Sequence, residues 1–281
     1  MTFFDVSRTA EGELFTPLPA ATSRWTGQHV RGPAIVALLA RAVESAMPAG
    51  NRAVPARSTF ELHSPFGLQP CRVRTRVLKQ GRTLTLIEAE LLSDERVVAR
   101  CRSAFLSPTP GDSSIVAASA ENAAAINDPE PIWADPVPVE CAPPPAELRA
   151  TATGRLFRST TTDWSPRRAD HRTGQRNLVW YPSESVVSGE AATPFQLAAA
   201  ASDLGNHVIN FGTNGLSHIN SDVTLSLARY PETSGIGVCG NTRTAHRDVS
   251  IGSAVVFDEH GVCGQATVTS VRHAYLSLTF E

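Results

Sequence analysis

The chain has 281 residues, enough for one large domain or two of ordinary size. Hydrophobic residues make up 42% and charged residues 19%, the balance of a globular protein in water. A formal net charge of -2, with no run of Lys or Arg, offers no nucleic-acid patch, so no nucleic-acid partner is expected.

No stretch approaches the roughly 18 apolar residues that span a bilayer. The start, Met1 to Asp5, lacks the basic and apolar regions of a secretory signal. The five cysteines, Cys71, Cys101, Cys141, Cys239 and Cys263, form no CxxC pair. They read as buried thiols of a reducing cytoplasm, not as disulfides or zinc ligands. No metal and no cofactor is expected.

The first clear element is a helix from Pro33 to about Met47. Pro33 suits a first turn, because the N–H it lacks would be unpaired there anyway. Pro48 and Gly50 stop the helix. Its polar residues, Arg41, Glu44 and Ser45, lie on one narrow stripe, so the rest of its surface must be buried. The period then changes to two. Ser58 to Leu62, Cys71 to Leu78, Thr83 to Leu92 and Val97 to Leu106 read as strands with short turns, which implies antiparallel pairing.

Nine of the 20 prolines lie between Pro108 and Pro145, a composition that reads as a linker. The first pattern then returns. Thr193-Pro194 opens a second helix that ends near Gly205-Asn206. Strands follow at about Leu216 to Ala228, Gly235 to Thr244, Ile251 to Phe257 and Val262 to Val271. Pro33 lies 61 residues before the Asp94-Glu95 turn, and Pro194 lies 64 residues before Asp258-Glu259. The shared order and spacing imply an internal repeat. The expected units are an N-terminal half over 1–107, a Pro/Ala-rich linker over 108–150 and a C-terminal half over 151–281.

Gly235-Ile236-Gly237-Val238-Cys239-Gly240 spells GxGxxG, but no apolar helix follows it, so a nucleotide site is not expected. The glycines instead mark a strand that another backbone approaches closely. There is no GxSxG nucleophile elbow, no HExxH, and no His pair at metal-ligand spacing. Asp203 is the polar residue of most interest. It ends an apolar, Ala-rich helix, where the macrodipole disfavours a carboxylate. It either orients or deprotonates a water, or hydrogen-bonds to the Gly205-Asn206 turn. Asn220-Ser221-Asp222 opens the next strand and could face Asp203, or serve as a plain strand-entry turn.

These pieces together resemble the double-hotdog acyl-CoA thioesterases of the type II, TesB-like family. The matching segments are Gly32 to Leu39, Gly81 to Leu84, Ala201 to Asp203, Ile219 to Pro231 and Phe257 to Gly261. The resemblance implies an α+β double hotdog. Each half would hold a central apolar helix wrapped by an antiparallel sheet, with the sheets joined edge to edge. It further implies hydrolysis of a fatty or aromatic acyl-CoA by direct water attack, in cytoplasmic fatty acid metabolism, and a possible homodimer through the hotdog sheets.

In that family an Asp after the second helix, a Thr or Ser on the next strand and a Gln on the last strand position the water. Asp203 matches. Asn220, with Ser221 beside it, stands where the hydroxyl residue would be, and Thr269 stands near the Gln position. The family's Phe-Leu-Arg-Pro segment is altered here to Phe60-Glu61-Leu62-His63-Ser64-Pro65. Backbone N–H groups near Gly32 and Pro33, or near Pro194, would hold the thioester oxygen. Arg82, or else Arg31 or Arg243, would meet the CoA phosphates. The alternatives are a non-catalytic acyl- or CoA-binding hotdog protein, favoured by the Asn220 and Thr269 departures, and a hotdog enoyl-CoA hydratase. The hydratase pattern has four residues between its Asp and His, and here only three lie between Asp203 and His207.

Overall fold

The computed structural model describes residues 2–48, 53–107, 141–232 and 235–273. Residues 108–140 of the expected linker lie outside them.

The first half opens with a hairpin, β1 (Thr2–Thr9) and β2 (Gly12–Pro17), followed by helix α1 (Gly32–Ser45). Strands β3 (Val54–Leu62), β4 (Arg72–Gln80), β5 (Leu84–Ser93) and β6 (Arg96–Leu106) complete it. Asp94 and Glu95 both take positive φ in the β5–β6 turn, the backbone that a two-residue hairpin of right-handed twist requires. The second half opens with short pieces: α2 (Ala146–Thr151), β7 (Leu156–Ser159), β8 (Thr162–Ser165), β9 (Asn177–Pro182) and β10 (Ser185–Val187). Helices α3 (Pro194–Ser202) and α4 (Gly205–Asn210) follow, then a minimal hairpin, β11 (Phe211–Gly212) and β12 (Gly215–Leu216). Long strands β13 (His218–Leu227), β14 (Gly235–His246), β15 (Val249–Asp258) and β16 (Gly261–Arg272) end it.

One sheet holds most of these strands, in the order β4-β5-β6-β3-β13-β16-β15-β14-β9-β7-β8. The repeat is visible in that order. After its helix, each half lays four strands so that the first pairs with the fourth and the fourth with the third. The two copies meet edge to edge through antiparallel β3 and β13, with Phe60 opposite Val223 and Ser58 opposite Leu225. This is the double hotdog expected from the sequence.

Helix α1 is buried from Pro33 to Val43, against β4, β5 and β6 on one side and α3 on the other. Its Ala-rich surface lets these neighbours come close. The polar stripe is accommodated by ion pairs. Arg41 donates to Glu190 at 2.7 and 2.8 Å and to Glu13 at 2.9 and 3.2 Å. Both carboxylates raise the guanidinium's pKa.

Three features differ from the sequence reading. The β1–β2 hairpin, not anticipated, pairs in parallel with β10 of the second half, so the halves are interlocked by more than the central edge. The second helix does not end at Gly205 but breaks at Asp203-Leu204 and resumes as α4. A Cβ on Gly205 would lie 2.8 Å from Val268 Cγ2 on β16, so a larger residue at the start of α4 would have to push that side chain aside. Third, the glycines of the GxGxxG run do lie on a strand, β14, but their neighbours are mixed. Gly237 lies flat against the Phe257 ring, while a Cβ on Gly240 would come within 2.7 Å of the Val208 carbonyl. Among the described residues, no helix is long and apolar enough to cross a membrane.

Candidate active site

The break between α3 and α4 decides where Asp203 points. It caps α3 in helical geometry and is buried. Its carboxylate abuts the start of α1: a Cβ placed on Gly32 would come within 2.7 Å of the Asp203 Cγ. The acid therefore sits at the negative end of α3 but at the positive end of α1, which offsets the unfavourable dipole expected from sequence. The first turn of α1 has no side-chain cap to compete with it. Asn220 donates from Nδ2 to Asp203 Oδ1 at 2.7 Å. Among the described residues, Oδ2 has no hydrogen-bond partner. Burial drives the Asp203 pKa up to about 6, against the opposing pull of Asn220, Arg155 and Arg31.

A β-bulge selects Asn220. The β13–β16 register shifts between Asn220 and Asp222, leaving Ser221 as the extra residue. Val223, Leu225 and Leu227 face the helices. Strict alternation would put Ser221 on that face, and the bulge puts Asn220 there instead. Ser221 is exposed and donates to Asp222 at 2.9 Å and to the Thr269 carbonyl at 3.2 Å.

Asp203 and Asn220 line a cleft of about 480 Å³ between the halves. Gly32 and Pro33 form part of its wall, with Ile35, Leu62, Leu216 and Ile219 as apolar lining. Trp25 and His273 stack at 6.0 Å beside it. His207 also lines the cleft. Its ring packs on Phe157 and Phe211, and burial together with Arg168 and Arg155 holds its pKa well below the usual value.

The other expected site residues lie elsewhere. Thr269 is on β16, where Ala266, Val268 and Ser270 are buried toward the helices. Thr269 therefore points to the opposite face, beside exposed Ile251 and Val271, and cannot reach Asp203. Pro194 opens α3 at the end remote from Asp203. The Thr193 cap and Gln196 already occupy that helix start, together with Glu44 of α1. Arg82 is exposed in the β4–β5 turn. Arg243 donates to Asn210 Oδ1 at 3.0 Å, within a polar network beneath α4. Of the three arginines considered, only Arg31 lines the cleft.

Glu44, on the polar stripe of α1, has a counterpart role to Asp203. Glu44 Oε2 accepts from Thr193 at 2.7 Å and from Gln196 at 2.8 Å, so each central helix meets an acid of the other at its N-terminus. Glu44 Oε2 serves as the cap of α3, whereas Asp203 Oδ1 is held by Asn220 inside the cleft. Among the described residues, no group of three His, Cys, Asp or Glu side chains is placed to hold a metal ion.

Sequence reasoning missed Arg155 and Arg168, which also line the cleft. Arg155 lies in the loop before β7 and Arg168 at the start of a short 3-10 turn after β8, outside the repeated unit, so no periodicity pointed to them.

Replacing Gly32 by Ala would push the new methyl into the Asp203 carboxylate. A displacement near 1 Å costs about 100-fold in rate when positioning matters. The expected result is a loss of that order in turnover with a nearly unchanged melting temperature, measured by steady-state kinetics and thermal denaturation.

Comparison with known proteins agrees with this architecture. Residues 21–118 match the model of the acyl-CoA thioesterase N-terminal domain. No curated protein matches the chain. Among solved structures, a tesB protein from Mycobacterium avium subsp. paratuberculosis superposes with a TM-score of 0.65 at 16% identity, covering 95% of each chain. A hot dog fold protein of unknown function from Alicyclobacillus acidocaldarius gives 0.63 at 12% identity, covering 96% of each chain. An acyl-CoA thioesterase II, TesB2, from Mycobacterium marinum gives 0.59 at 9% identity, covering 98% of this chain and 97% of that one. The chain is thus a double-hotdog protein with the same overall architecture as these structures, and its residues 21–118 are similar to the acyl-CoA thioesterase N-terminal domain.

Proposed function

We propose that this protein hydrolyses acyl-CoA thioesters by direct attack of a water held on Asp203. The observation that carries the reading is the Asp203 carboxylate itself. It is buried, raised to about 6, fixed on one oxygen by Asn220, open on the other, and set at the N-terminus of α1 inside a cleft. A base of that strength is ionised at neutral pH yet basic enough to take a proton from water. Asp203 Oδ2 would accept the proton as the water oxygen bonds to the thioester carbon. Negative charge then collects on the carbonyl oxygen, where the positive end of α1 stabilises it. The C–S bond breaks as the intermediate collapses, and the proton passes to the departing thiolate. No covalent acyl-enzyme is needed. Asn220 acts by holding Oδ1, and the apolar wall of the cleft receives the acyl group.

The pH profile tests this role. Activity requires ionised Asp203, so kcat/KM should be flat above the Asp203 pKa and fall tenfold per unit below a midpoint near 6. Asn220→Ala removes a hydrogen bond that lowers that pKa, so the midpoint should move to higher pH. A profile flat from pH 5 to 8, or a midpoint unmoved in the variant, would remove Asp203 from the proton transfer.

A further inference from the structure

The cysteines stand too far apart in the sequence to form a local pair, but the fold brings two of them together. Cys239 lies on β14, where Ile236 and Val238 belong to the main core. Alternation turns Cys239 to the opposite face of the sheet. There it joins Leu156, Leu178, Trp180 and Phe257 in a separate apolar cluster. Cys141, with Leu148 and Ala152 beside it, packs against that cluster. Helix α2 is anchored there by Arg149, which rests over the Trp180 ring at 5.6 Å and pairs with Glu259. Cys141 stands just before that helix, and its thiol meets the Cys239 thiol in a hydrogen bond.

The two sulfurs are not equivalent. Cys239 is fully buried and Cys141 is half-buried. The hydrogen bond from Cys239 favours the Cys141 thiolate and, with the nearby Arg176 charge, holds its pKa below the usual thiol range against burial. The same bond, with burial, keeps Cys239 protonated. The Cys239 S–H has a second acceptor in reach, the Gly240 carbonyl at 3.6 Å. A half-exposed thiol inclined to ionise, beside a second thiol, is the arrangement that reacts with oxidants and then closes a disulfide. The other three thiols have neither property. Cys71, Cys101 and Cys263 are buried, and burial drives each pKa up to about 12. They meet oxygens: the Phe15 carbonyl at 3.6 Å, the Ser103 hydroxyl at 3.4 Å and the Val256 carbonyl at 3.4 Å.

We propose that Cys141 and Cys239 form an oxidation site, which a hydroperoxide closes into a reversible disulfide. The Cys141 thiolate bonds to one peroxide oxygen, the O–O bond breaks, and the departing oxygen takes a proton from solvent. Cys141 is then a sulfenic acid. Cys239 attacks that sulfur, so the S–S bond forms and the S–O bond breaks. The departing hydroxide takes up the Cys239 proton as water. Two thiols together lose two electrons and one peroxide gains them. A dithiol reductant reverses the step, as expected of a transient disulfide in a reducing compartment. The bond fastens the chain leading into α2 to β14. This site stands whether or not the hydrolase reading holds.

The reduced full-length protein, Cys141→Ser and Cys239→Ala are each exposed to a slight excess of hydrogen peroxide at neutral pH, blocked with N-ethylmaleimide and digested for mass spectrometry. Wild type should lose two hydrogens in mass. A peptide carrying Cys141 should be joined to one carrying Cys239, and dithiothreitol should separate them. Cys239→Ala should stop at a Cys141 sulfenic acid that dimedone captures, and Cys141→Ser should leave Cys239 unmodified over the same time. Should Cys239→Ala fail to fold, the wild-type crosslink and its absence from Cys141→Ser decide alone. The proposal is overturned by five unmodified thiols in wild type, by a bridge between other cysteines, or by sulfinic acid at Cys141 with no bridge.

Discussion

Asp203→Asn is expected to cut thioester hydrolysis by 100- to 10,000-fold, the usual contribution of a positioned general base. The same change should make the protein more stable at neutral pH. In the folded state the Asp203 pKa is raised from 3.8 to about 6. Below about pH 4 the group is protonated in both folded and unfolded chains, and its burial is free of charge cost. As the pH rises from 4 to 6, the unfolded chain releases the proton and the folded chain does not. Stability therefore falls across that window, by up to about 3 kcal/mol above pH 6. Asparagine is neutral throughout and can still accept from Asn220, so the variant should gain about 1–3 kcal/mol at pH 7 and almost nothing at pH 4. Denaturant unfolding at the two pH values reads both numbers. Equal stability of the two proteins at pH 7 would mean that Asp203 is not buried as a charge.

The opposite outcome is expected at Asp258. Its carboxylate is fully buried and receives Arg229 in a two-point grip, Nη1 to Oδ2 at 2.6 Å and Nη2 to Oδ1 at 2.8 Å. The backbone N–H groups of Glu232 and His260 add 3.0 and 2.8 Å bonds. Together they tie the end of β13 to the β15–β16 turn, and they hold the Asp258 pKa below the usual range against burial. Asp258→Ala leaves a largely buried guanidinium and two amides without their acceptor. Removing one partner of such a pair costs about 3–5 kcal/mol. For a chain of this size the melting temperature should drop by roughly 10 °C. The site lies at the far end of β13 from Asn220, so turnover measured well below the melting point should persist. A loss of stability without loss of chemistry at Asp258, and the reverse at Asp203, would separate scaffold from site.

Much of the scaffold was legible because the elements that build it are long and periodic. The Ala-rich run from Pro33 could only be a buried helix. The period-two segments after it could only pair antiparallel. The recurring helix, strands and acidic turn gave the repeat, and the sheet order β4-β5-β6-β3 against β14-β15-β16-β13 bears it out. The short strands β7, β8 and β10 carry too few residues for alternation to register, and parallel pairing of β1 with β10 has no local signal.

The candidate site was legible where it rested on residue type and hidden where it rested on register. An acid closing an apolar helix drew attention to Asp203. The bulge at Ser221 could not be read from side chains, so Asn220 and Ser221 stayed equivalent until the backbone separated them. Thr269 was chosen by position along β16, but which face it occupies depends on the pleat, and the pleat turns it outward. Glu44 had no role legible in the sequence, since its partner is the start of another helix 149 residues away. Arg155 and Arg168 gain meaning only from the cleft that gathers them.

The central claim is that Asp203 drives water onto an acyl-CoA thioester, and one measurement meets it directly. Wild type and Asp203→Asn are incubated with a panel of acyl-CoAs spanning short, long, aromatic and carboxylated acyl groups, and released CoA is followed by mass spectrometry. The account predicts release of CoA and free acid from at least one class by wild type, reduced at least 100-fold in the variant. Equal release by both proteins would contradict it by removing Asp203 from the mechanism, and no release from any class while an acyl-CoA still raises the melting temperature would leave an acyl-binding protein on a hotdog scaffold.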